Sequence, residues 1–123
     1  MGKIAPAAKK KDPLLEFCRA LPGATEDIKW GADLIFSVGG KMFAGFQMPQ
    51  AEPIGFKVEP LAFDGIVGRD GIIPAPYMAQ HSWVSVTERK RVSEARLKQM
   101  LRESHRLVAS KLSKKMRATL GIE

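Results

Sequence analysis

Eleven of the twenty basic residues of this chain lie between Arg89 and Arg117, within its last thirty-five positions. Guanidinium and ammonium groups at that density, held on a rigid element, can contact successive phosphates and release their counterions, which gives affinity with little sequence preference. Residues 1–88 hold nine Lys/Arg and ten Asp/Glu, whereas residues 89–123 hold eleven and three, so the overall charge of +7 is a local property. Such asymmetry points to an anionic partner: nucleic acid first, ahead of a membrane surface, with an acidic protein as the alternative. Placed on a helical wheel, the cations surround their helix. Only Arg102 and Arg106, with the turn carrying Lys114, Lys115 and Arg117, share one surface, and the competing reading is a merely solvated helix face.

Other reactive residue types are sparse. His81 and His105 are the only histidines, with Ser82, Ser104 and Glu103 as neighbours. A hydrolytic triad needs nucleophile, base and orienting acid brought together, and neither a nucleophile elbow nor a comparable motif is present, so no residue is assigned a catalytic role. Beside Trp83 at a strand entrance, His81 reads foremost as a hydrogen-bonding residue of the scaffold. Gly39-Gly40-Lys41 is followed by a strand pattern instead of a helix, so it is a turn and not a phosphate cradle; Lys41 is then a surface cation on the turn. Trp30 could stack on a base or a partner side chain, but the sequence favours a partly buried aromatic closing the core beneath a hairpin. Cys18, the single cysteine, sits among Leu14, Leu15, Phe17 and Leu21 and reads as a small core residue, which excludes an internal disulfide and a cysteine-based metal cluster. No cofactor or metal is expected.

The elements that must position these groups follow from periodicity and punctuation. A length of 123 residues suits one domain. Residues 1–11, with four lysines and little to anchor them, read as a flexible basic tail ahead of a domain at 12–123. Asp12-Pro13 begins a short helix ended by Pro22-Gly23. After the polar segment Thr25-Glu26-Asp27, the run DLIFSVGGKMFAGFQM forms a hairpin turning at Gly39-Gly40, with Leu34, Phe36 and Val38 on one face and Ile35 and Ser37 on the other. Strands are expected at 54–58 and 82–87, with Trp83 in the core, a short helix after Pro60, and an extended edge or loop over 72–78 where two prolines disfavour a central strand. Ser93 caps a long amphipathic helix through Ala95, Leu97, Met100, Leu101, Ser104, Val108 and Leu112. Because Lys111 and Lys115 would fall back onto that stripe, the helix should break near Ser113, which starts a last short helix with Met116 and Leu120 turned inward. No apolar run approaches the roughly 20 residues of a membrane span, and the first residues lack the apolar stretch of a signal peptide, so a cytoplasmic protein is expected.

The order helix, hairpin, strand, helix, strand, long helix is α+β with a mostly antiparallel sheet. Within it, LPGATEDIKWG (21–31), DLIFSVGGKMFA (33–44), PYMAQHSWVSV (76–86) and SHRLVASKLSKKMRATL (104–120) together resemble the MmcQ/YjbR family over residues 13–120. The resemblance implies a CyaY-like, or double wing, domain of a DNA-binding type, with its helices packed on one face of the antiparallel sheet, and hence duplex DNA as the polymer. It differs from a frequent family pattern, Met-Asn-Lys-x-His-Trp, in reading Met78, Ala79, Gln80, His81, Ser82, Trp83. Iron binding, which CyaY-like proteins support with an acidic first helix, is not implied here, since that helix holds only Glu16 near Asp12.

Overall fold

The computed structural model describes residues 12–122; the tail expected at residues 1–11 lies outside them. Helix α1 (Pro13–Arg19) starts where the sequence places it. Asp12 accepts a hydrogen bond from the Leu14 amide at 2.9 Å, and Pro13 occupies a position whose missing N–H costs nothing. Its Leu14 and Cys18 are buried.

The polar segment after Gly23 is a strand, β1 (Ala24–Lys29), paired antiparallel with β2 (Asp33–Val38) from Ala24↔Val38 to Lys29↔Asp33. It carries no apolar alternation because it is an edge strand, held by its ladder of backbone bonds while its side chains remain largely in water. The β2–β3 hairpin closes as expected through Gly39 and Gly40, both at positive φ (59° and 81°), and β3 spans Lys41–Gln47. Phe36 pairs with Ala44 and Ser37 with Met42, so Phe43 is an extra residue, a β-bulge. Phe43 and Ala44 both pack into the core as a result.

Strand β4 (Ile54–Lys57), a single 3-10 turn (Pro60–Ala62), the short helix α2 (Phe63–Ile66), β5 (Ile72–Pro74) and β6 (Trp83–Val86) complete a six-stranded antiparallel sheet in the order β1-β2-β3-β4-β6-β5. The expected edge segment is β5, three residues long and ending at Pro74. Leu34, Phe36, Phe46, Ile54, Phe56, Val84 and Val86 line one face and bury against α1 and α3 (Glu94–Ala109). Phe36 and Phe46 meet edge to face at 5.9 Å.

Ser93 caps α3, accepting from the Arg96 amide at 3.2 Å. Leu97, Met100, Leu101, Ser104 and Val108 form its inward stripe; Ala95 is exposed. The helix stops at Ala109, a few residues before the expected break, which leaves Lys111 in solvent instead of on the apolar stripe. Leu112 then folds over the hairpin turn so closely that a Cβ on Gly39 would stand 2.6 Å from its Cδ1. Ser113 caps α4 (Lys114–Thr119), accepting from the Met116 amide at 3.0 Å. Leu120 packs on the core as expected, but Met116 does not: with six residues, α4 turns only one side inward, and Met116 is 41% exposed.

Candidate anion-binding surface

Five of the eleven cations between Arg89 and Arg117 have an ionic or aromatic partner within the fold. Arg89 clasps Asp12, with Nη1 and Nη2 at 2.6 and 2.9 Å from its two carboxylate oxygens. That contact holds the Asp12 carboxyl below its usual range and raises the guanidinium. Arg106 bonds Glu103 through Nε at 3.0 Å and reaches Glu59 at 3.1 Å, which raises its pKa and lowers that of Glu103. Lys98 pairs with Glu94 at 3.1 Å, and the Arg102 guanidinium lies over the Phe17 ring, 5.1 Å from its centroid. A groove of about 490 Å³ between α3 and the segment after β4 therefore mixes Arg96, Arg102 and Arg106 with Glu59 and Glu103.

The turn cations stand apart from these. Lys114 and Arg117 line a separate hollow that meets the one beside Arg102 and Arg106 only at Ile122, and the exposed Lys115 lines neither. The Nε of Arg117 is buried without a partner.

A different set of cations converges on the other side of α3. Lys41 at the start of β3, Lys57 at the end of β4, Lys111 just after α3 and His81 on a 3-10 turn (Ala79–His81) line one groove of about 350 Å³ with Met78 and Trp83. No acidic side chain lines it, and among the described residues Lys41, Lys57 and Lys111 make no ion pair. The sequence singled out Lys41 and His81 separately, and the fold joins them. It misses Lys57 and undervalues Lys111. The alternation of Phe56, Lys57 and Val58 is the signal that turns Lys57 to the face away from the helices, and only the register Lys57↔Trp83 reveals its neighbours.

His81 does serve the scaffold, but through its carbonyl, which accepts from Lys57 Nζ at 3.0 Å. Ser104 and His105 are structural as well. Ser104 Oγ donates to the Phe43 carbonyl at 2.7 Å and accepts from the Lys57 amide at 2.9 Å. His105 Nε2 lies 2.7 Å from the Pro22 carbonyl oxygen, and its ring meets Phe43 edge to face at 5.1 Å. Burial pushes the Cys18 thiol up to about 12, as befits a core residue.

Trp83 is buried, as expected, but on the sheet face opposite the helices, outside the main core. Trp30 is not buried beneath the hairpin. It sits at φ 51° in the β1–β2 turn, outside the core, and is 71% exposed.

Residues 19–107 match the family model YjbR. The chain belongs to the YjbR family. The match spans the whole sheet and most of α3, including Lys41, Lys57 and His81, while Lys111 and the α4 cations lie beyond it. The crystal structure of Deinococcus radiodurans protein DR2400, of domain family DUF419, is similar at 27% identity, with a TM-score of 0.79 over 89% of this chain and 86% of that one. Its likeness extends the YjbR assignment to the six-stranded antiparallel α+β architecture. No curated protein matches the sequence. Among the described residues no helix is long and apolar enough to cross a membrane, and no group of three or more His, Cys, Asp or Glu side chains is placed to hold a metal ion.

Proposed function

We propose that this protein is a small non-catalytic domain of the cytoplasm that binds nucleic acid, DNA foremost, by its phosphate backbone, and that Lys41, Lys57 and Lys111 beside His81 make the contact. The observation that carries the reading is the convergence of three lysines from three separate segments on a groove that no acidic side chain lines. Cations already paired with carboxylates must break those pairs before they can hold a phosphate; these lysines have none to break. The YjbR assignment accords with the reading but does not carry it.

Three phosphate contacts set a modest affinity and a definite salt dependence, log K falling against log salt with a slope of about −2.7 on duplex DNA. Fluorescence anisotropy of a labelled duplex, titrated at several salt concentrations, measures that slope. A variant with Lys41, Lys57 and Lys111 all changed to Gln should lose it. Absence of binding at low salt, or undiminished binding by the triple variant, refutes the reading.

A further inference from the structure

The sheet face turned away from the helices is not flat. In one cross-strand row, Ile35 pairs with Gly45, Gly45 with Gly55, and Gly55 with Ser85. Two adjacent residues without side chains leave a trough of about 180 Å³ in the middle of the sheet. Gly55 has no positive φ to require glycine, and a Cβ there would meet the Trp83 ring and the Val84 carbonyl oxygen at an ordinary 3.7 Å, so neither its backbone nor close packing accounts for its lack of a side chain. Trp30, a 71% exposed residue, stands at one end of the trough. Asp33 and Gln47, paired across the hairpin, offer an acceptor and a donor at that same end. Met42, Met78 and Trp83 form the other end, and the same three residues also line the lysine groove, so trough and groove are one continuous surface.

We infer that this surface holds an unpaired nucleotide, with its base in the glycine trough against Trp30 and its phosphate on Lys41, Lys57 and Lys111. The inference rests on the phosphate-binding reading above and adds what lies between the phosphates. The trough falls below the roughly 300–1,000 Å³ of sites for drug-sized ligands, and it suits one planar ring system. Gly45 and Lys41 are four residues apart on β3, about 13 Å by strand rise, a span bridged by a nucleotide and an extended lysine side chain. Charge is ordered along the path: Asp33 lies at the base end, the lysines at the phosphate end. A base inside a duplex has both faces stacked and cannot enter, whereas an unpaired base gains an aromatic platform.

The test compares three ligands on the full chain at one salt concentration: a labelled oligo-dT strand, a blunt duplex of equal length, and dTMP as competitor. Wild type should bind the strand at least about fivefold tighter than the duplex, the advantage of one base–aromatic contact. Trp30→Ala, at an exposed position, and Gly55→Val, which fills the trough with a residue suited to a strand, should each bring the strand to parity with the duplex and leave duplex affinity unchanged. Displacement of the strand by dTMP at a matching affinity identifies a free nucleotide as the ligand, and displacement only at far higher dTMP concentration identifies the polymer; either supports the trough. Equal affinity of wild type for strand and duplex, or a strand preference that survives both variants, overturns it and leaves phosphate binding intact. Failure to bind any of the three instead removes the phosphate reading itself.

Discussion

Lys57 donates from Nζ to the carbonyl of His81 at 3.0 Å, tying the end of β4 to the turn that precedes β6. A lysine steadied in this way loses less side-chain freedom on meeting a phosphate than one free in solvent, and it keeps two further donors. Changing Lys57 to Met retains the aliphatic stem and removes the charge. The salt slope of DNA binding should fall by about one unit, and Lys57→Arg should restore it. An unchanged slope in Lys57→Met would place the phosphates elsewhere.

Arg102 and Arg106 supply the contrast. Arg106 is held by Glu103 and Glu59, and Arg102 rests on Phe17. The double change Arg102→Gln with Arg106→Gln should alter DNA affinity by less than about twofold, because Arg106 already pairs with two carboxylates and Arg102 lies over an aromatic ring in a groove that Glu59 and Glu103 also line. A loss as large as that from Lys57→Met would return the site to the face first suggested by sequence.

The Arg89–Asp12 clasp joins residues 77 apart in sequence and makes stability depend on pH. Asp12 also caps α1, and its carboxyl titrates lower in the folded chain than in the unfolded one. Its contribution is therefore complete above the unfolded value near 3.9 and is lost as pH falls through the folded value. Asp12→Asn should cost about 1–3 kcal/mol at pH 7, read from urea unfolding, and the difference from wild type should shrink as pH drops below about 4. Asn keeps the capping oxygen and loses the charge, so a difference that does not change with pH would mean that the ionised carboxylate, and with it the ion pair, contributes nothing.

Ser104 satisfies two strands from within α3, bonding the Phe43 carbonyl and the Lys57 amide. It is fully buried, so Ser104→Ala leaves a donor and an acceptor without partners and should lower stability by about 1–3 kcal/mol. Urea unfolding checks this, and an unchanged midpoint would mean that water or a neighbour replaces the hydroxyl.

How much was legible from sequence depends on where each element draws its stability. The hairpin, α1 and α3 were readable because their signals are local: Gly39-Gly40, the Asp12 and Ser93 caps, and alternating or helical apolar spacing. Strand β1 was not, since an edge strand with Thr25, Glu26 and Asp27 in water is specified by its neighbour and not by its own pattern. The basic residues were all visible, but their pairing was not, because Glu59 meets Arg106 across 47 residues and Asp12 meets Arg89 across 77. The candidate groove combines the starts and ends of three elements, a kind of neighbourhood that only strand order and register create.

The most direct test of the account is the map of backbone amide shifts in a ¹⁵N-labelled sample titrated with DNA. It predicts the largest changes at residues 41, 57, 81 and 111, extending over Gly45, Gly55 and Trp30 when the ligand is single-stranded. Changes centred on Arg102, Arg106 and residues 114–117, with the lysine groove silent, would contradict it.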